Sequence, residues 1–180
     1  MTLPGRSGGD VGVGGPLIVT ALLPAELQSR MDALRRAHFP PERNYLRAHV
    51  TLFHALPPSC EAELRQVLGR IVAQHPPPPA TVEGVMSLGG GTAVRLESPA
   101  LLAIRNELAD HFERLLTAQD QHRPRLHVTV QNKVSSKEAK ALQAQLSPQL
   151  RPEHFHFAGL ALNSYCGGPW RHLKSWSFRG

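Results

Sequence analysis

The 180-residue chain is 41% hydrophobic and 19% charged, an ordinary balance for a globular protein that builds its core without disulfides. Its two cysteines, Cys60 and Cys166, exclude a secreted disulfide scaffold and read as reduced thiols of a cytoplasmic protein, and no apolar run approaches the ~20 residues needed to span a bilayer. Twenty Lys and Arg against 14 Asp and Glu leave a net charge of +6, which favours an anionic partner without identifying it.

Residues 1–15 are Gly-rich and lack the basic-then-apolar pattern of a signal peptide, so they read as a disordered tail before one ordered domain over residues 16–180. Pro16–Leu23 is a β-branched and leucine-rich run, expected to form a buried strand. Leu27, Met31 and Leu34 then fall at helical spacing before Pro40. A second strand, His49–Leu56, stops at Pro57-Pro58, where Ser59 is placed to cap the next helix. Glu61 and Glu63 in its first turn complement the helix dipole, and Leu64, Val67, Leu68 and Ile71 form its apolar stripe. The prolines 76–79 end that helix and read as a linker between lobes.

Ala80–Leu88 and Thr92–Glu97 flank three glycines and predict a hairpin. Ser98-Pro99 opens a long helix carrying Leu101, Ile104, Leu108, Phe112 and Leu115. His127–Gln131 reads as a strand, and Ser135 with Glu138 as a capping box before a helix lined by Leu142 and Leu146. Phe155–Leu162 and Trp170–Phe178, around the turn Cys166–Pro169, predict a second hairpin. Each half runs strand, helix, strand, helix, hairpin. That duplication predicts two pseudo-twofold-related lobes with a cleft between them.

The chemistry lies in two strands 78 residues apart. Arg47-Ala48-His49-Val50-Thr51-Leu52 and Arg125-Leu126-His127-Val128-Thr129-Val130 both read R-x-H-V-T-aliphatic. Strand side chains alternate faces, so Arg, His and Thr of each motif share one face above an apolar back. Ten histidines and seven threonines give about 0.4 H-x-T tripeptides by chance. Two, in matching contexts, signal a repeated site. Histidine can give or take a proton near neutral pH. Two imidazoles bracketing one phosphorus can activate the attacking oxygen and protonate the leaving one. Thr51 and Thr129 can donate to the non-bridging oxygens, and Arg47 and Arg125 can hold a phosphate or the backbone of a neighbouring nucleotide. Phe53, on the same expected face, and Tyr165, beside the Gly-rich turn, are candidates for base stacking, while Trp170 is expected to pack. His54 falls on the opposite strand face and is assigned no part. His154 and His156 alternate like a ligand pair but lack a third ligand at a recognisable spacing.

The paired H-x-T strands, the duplicated lobes and the Gly-Pro-Trp turn before the last strand resemble the 2H phosphoesterase superfamily, within it the 2′-5′ RNA ligase-like and cyclic phosphodiesterase proteins. The resemblance covers about Pro16 to Phe178. It implies a bilobal α+β fold with antiparallel sheets flanking a central cleft and helices outside, with His49 and His127 catalytic and Thr51 and Thr129 holding phosphate. It also implies an RNA end or nucleotide bearing a 2′,3′-cyclic phosphate or 2′-5′ linkage as partner. The expected enzyme is a monomer working without metal or other cofactor. A nucleotide-binding module without turnover is the alternative of a different class.

Overall fold

A computed structural model describes residues 14–180. Residues 1–13 of the expected tail lie outside the described residues; Gly15 lies against the sheet, its carbonyl accepting from Ser164 Oγ at 3.4 Å. In chain order the elements are β1 (Leu17–Leu22), α1 (Ala25–His38), β2 (Val50–Leu56), α2 (Glu61–Gln74), β3 (Pro79–Ser87), β4 (Thr92–Glu97) and α3 (Pro99–His111). A one-turn α4 (Ala118–Gln121) follows, then β5 (His127–Gln131), α5 (Ser136–Leu146), β6 (Glu153–His156), β7 (Gly159–Tyr165) and β8 (Trp170–Ser177). The expected helix caps at Ser98 and Ser135 are present, the latter as a full capping box.

Two four-stranded antiparallel sheets result, in the orders β2-β1-β7-β8 and β5-β4-β3-β6. The α+β class and two-lobe plan therefore hold, but the lobes are not the two halves of the chain. The hairpin β3–β4 builds the second sheet, whereas β7–β8 returns to the first. The run read as one strand, Phe155–Leu162, is split. Its start pairs with β3 in one sheet and its end with β1 in the other. Gly159 opens β7 just past that crossover, where a Cβ would stand 2.0 Å from the Trp176 carbonyl oxygen. Gly159→Ala is accordingly expected to lower unfolding free energy by about 1–3 kcal/mol in urea titration.

Two helix expectations need correction. Ser59 sits inside a 3₁₀ turn, Pro58–Cys60, and makes no cap; the N-cap position of α2 is Cys60, without a side-chain bond. The long helix after Pro99 ends at His111, with Phe112 as its C-cap. Leu115 falls in a following 3₁₀ turn and is 41% exposed, so a periodic leucine does not extend the helix when no core lies beneath it.

One continuous apolar core joins both sheets, from Leu17, Val19 and Leu52 through Leu68 and Ile71 to Val94, Leu108, Val128 and Leu160. Helices stack on the sheets because their stripes bury Leu64, Val67, Leu68 and Ile71 in α2, and Leu101, Ile104 and Leu108 in α3. Strands β2 and β5 are the outer strands of their sheets, and they meet between the lobes.

Candidate active site

Each H-x-T strand departs from regular pairing at the same place. On β2, Thr51 pairs with Thr20 but the next pair is Phe53 with Val19, leaving Leu52 as an extra residue. On β5, Thr129 pairs with Ala93 and Gln131 with Thr92, leaving Val130. These β-bulges occupy equivalent positions, 78 residues apart. An extra residue reverses the alternation of faces beyond it.

Two readings of the sequence fall on that point. Phe53 turns into the core, 1% exposed, with the Arg105 guanidinium 4.4 Å over its ring, so it offers no face for base stacking. His54 turns out, onto the side of the cleft that strict alternation denied it. It lines one hollow with Thr51, Arg125 and His127.

The two histidines are held alike. His49 Nδ1 lies 2.8 Å from the Arg47 carbonyl oxygen, and His127 Nδ1 lies 2.6 Å from that of Arg125. A carbonyl only accepts, so each Nδ1 carries the proton and donates. Each Nε2 is then left with its lone pair on the far side of the ring, the atom placed for acid–base work. Burial pushes the His49 ring down to about 4, against the Arg47 carbonyl, which favours protonation; the charges of Arg35, His127 and His54 push it further down. Burial also holds His127 below the usual imidazole range, aided by the charges of His54 and Arg125 and opposed by the Arg125 carbonyl. Both rings are thus neutral in the unliganded protein at pH 7.

The two rings line separate hollows, although their strands are in contact and the charge of His127 reaches His49. The larger, about 490 Å³, is lined by His49, Trp170, Tyr45, Asn163, His172 and Arg47, among others. Trp170 lies against His49, ring centroids 4.6 Å apart and planes at 55°. The smaller, about 230 Å³, holds His127. Thr51, two residues beyond His49 on its strand, lines this second hollow, so the H-x-T strand of one lobe borders the histidine of the other. Thr129 is partly exposed and lies outside the lining of both.

The remaining candidates separate. Arg47 also reaches Asp32, Nε at 3.1 Å and Nη2 at 2.9 Å from Oδ2, so its charge is neutralised locally. Arg125 lines the His127 hollow and makes no salt bridge among the described residues. Tyr165 pairs opposite Trp170 at the outer end of the hairpin, 44% exposed and beyond the wall of the larger hollow. Trp170, read as packing, and Tyr45, not read at all, take its expected place.

The sequence reading also missed a pair of arginines that brace the lobes. Arg35 of α1 donates through Nη1 to the Thr129 carbonyl at 2.8 Å, and Arg105 of α3 donates through Nε to the Leu52 carbonyl at 3.4 Å. Each is 3% exposed. Each ties its helix to the backbone of an H-x-T strand in the opposite sheet. Burial pushes both guanidinium groups down, opposed by the charges of Asp32 and Asp120.

Two like-held histidines on matched edge strands of a duplicated two-sheet fold are the mark of the 2H phosphoesterases. The chain belongs to the 2′-5′ RNA ligase superfamily, which matches it over residues 23–169. Among solved structures, TT0787 of Thermus thermophilus superposes with a TM-score of 0.62 at 18% identity, over 92% of this chain and 98% of that one. E. coli LigT complexed with NADP+ gives 0.61 at 19% identity, over 94% and 100%. LigT complexed with 3′-AMP gives 0.57 at 18%, over 93% and 99%. At these identities the likeness is one of fold. Among curated proteins no sequence match was found.

Proposed function

We propose that this phosphoesterase opens 2′,3′-cyclic phosphates, or makes and breaks 2′-5′ linkages, at RNA ends or on nucleotides, using His49 and His127 as general base and acid without a metal. The observation that supports this reading most is the matched Nδ1 donation to the Arg47 and Arg125 carbonyls. It leaves two free Nε2 atoms of the same tautomer, the equipment of acid–base exchange across one phosphorus. His49 is assigned as base: packed against Trp170 and with its pKa near 4, it is the ring that stays unprotonated. His127, bordered by Thr51, is then the acid. As a cyclic phosphate opens, His49 Nε2 takes the proton of the attacking water, while His127, reacting in its doubly protonated form, gives the Nε2 proton to the departing ribose oxygen and returns to the neutral ring that donates through Nδ1 to the Arg125 carbonyl. The Thr51 hydroxyl donates to a non-bridging oxygen as charge builds there.

The larger hollow suits a nucleoside, with Tyr45 and Trp170 offering aromatic faces and Asn163 a polar edge. That LigT, of the same fold, is captured with 3′-AMP and with NADP+ supports a nucleotide ligand. The test is a panel of nucleoside 2′,3′-cyclic phosphates and 2′-5′-linked dinucleotides, with products identified in excess EDTA. Undiminished turnover with chelator is the expected result. Activity abolished by EDTA would remove the metal-free mechanism. Tight binding without any product would favour the binding module.

A further inference from the structure

The pseudo-twofold relates two strands but not the walls around them. On the His49 side the motif arginine is neutralised by Asp32, and the surface is aromatic. On the His127 side the hollow is lined by Arg123, Arg125, His54, His122 and the buried Arg105, and its single carboxylate, Asp120, is already engaged. Asp120 accepts from the backbone N–H of His54 at 3.0 and 2.9 Å, from that of Ala55 at 3.0 Å and from the His54 ring at 2.9 Å. It is 1% exposed. These bonds hold the backbone just past the bulge and lock the His54 ring, whose Nδ1 donates to the carboxylate and whose Nε2 is left free. Neither Arg123 nor Arg125 makes a salt bridge among the described residues.

From this we infer that the His127 hollow is a receptor for a second phosphate of the substrate, one beyond the phosphate that reacts, with His54, Arg123 and Arg125 as its binding groups. The inference rests on the proposed nucleotide chemistry and narrows it. At about 230 Å³ the hollow is smaller than the usual site for a drug-sized ligand, yet it carries two guanidinium groups, Arg123 and Arg125, that no carboxylate pairs with among the described residues. A phosphate meets the arginine forks with charge-assisted bonds, and the anchored His54 ring adds another in its doubly protonated form, where Nε2–H donates to the phosphate while Nδ1–H stays on Asp120. A nucleoside in the aromatic hollow, its 2′,3′ edge at the two reacting histidines, would then present its 5′-phosphate to this wall. The favoured substrate is therefore an oligonucleotide end, or a nucleotide phosphorylated elsewhere on the sugar, rather than a simple nucleoside cyclic monophosphate.

Calorimetric titration of the whole protein with adenosine 3′,5′-bisphosphate and with adenosine 3′-monophosphate reads this directly, whether or not turnover occurs. The bisphosphate is expected to bind roughly tenfold or more tightly, the scale of one charge-assisted bond. In Arg123→Ala and in His54→Gln that ratio should fall towards one, with each variant's folding checked by its thermal transition. Equal affinity for the two ligands in the unaltered protein would overturn the subsite. So would a preference that survives both substitutions. Loss of turnover with the binding preference intact would instead strike the proposed reaction and leave the subsite standing.

Discussion

His49→Ala and His127→Ala are each expected to lower kcat on a cyclic phosphate by about 10²- to 10⁴-fold, the range of general acid–base catalysis, while leaving the folded state intact. Both rings are partly exposed at the cleft, so truncation removes chemistry before it removes packing. The double variant should lose little more than either single one, because the two groups act as a unit. A variant of either histidine that retains the unaltered protein's kcat would end the two-histidine mechanism. The pH profile gives a finer check. Base His49 must be unprotonated, which sets an acid limb near its pKa of about 4. Acid His127 must be protonated, and its pKa lies below the ordinary imidazole value of 6.5. The kcat/KM profile, which reports the free enzyme, should therefore peak between those values and fall towards neutrality. His49→Ala should erase the acid limb and spare the alkaline one.

The same shift acts on folding. The His49 pKa falls from 6.5 unfolded to about 4 folded, so between those values the unfolded chain holds the proton and the folded one does not. Stability is then unaffected above pH 6.5 and declines as pH drops from 6.5 to about 4.

How much of this could be read from the sequence depended on how local each feature was. The H-x-T repeat was legible because strand alternation and a 78-residue offset are written in the chain itself. The faces of Phe53 and His54 were not, because a bulge leaves no mark in residue type: Thr51-Leu52-Phe53-His54 reads as regular alternation until pairing with Val19 skips Leu52. Likewise nothing local says that β7–β8 closes the first sheet, since that follows from non-local pairing. The bracing arginines did leave a signal. Arg35 falls four residues after Met31, and Arg105 four after Leu101, both on apolar stripes. A charge on a buried stripe must find partners, and carbonyls of the opposite lobe are what these two find.

Asp120 is the clearest test of whether that central architecture carries stability. Asp120→Ala is expected to cost about 3–5 kcal/mol, the penalty for removing one member of a buried charged network. It would strip acceptors from the His54 and Ala55 N–H groups and leave Arg105, 3% exposed, without its facing charge. Asp120→Asn, which keeps a carbonyl acceptor, should cost less. His54→Ala should cost less again, because that ring is 43% exposed and contributes one bond. Burial opposes ionisation of Asp120, but the His54 ring, the two backbone donors and the His54 charge outweigh it, so its pKa lies below 3.8. The stabilisation is accordingly complete above pH 3.8 and lost as pH falls through that lower folded value. Urea unfolding of the three variants at pH 7 gives the order directly. A loss below about 1 kcal/mol for Asp120→Ala, the worth of an ordinary hydrogen bond, would mean that the bulge and the His54 ring hold their places without this carboxylate.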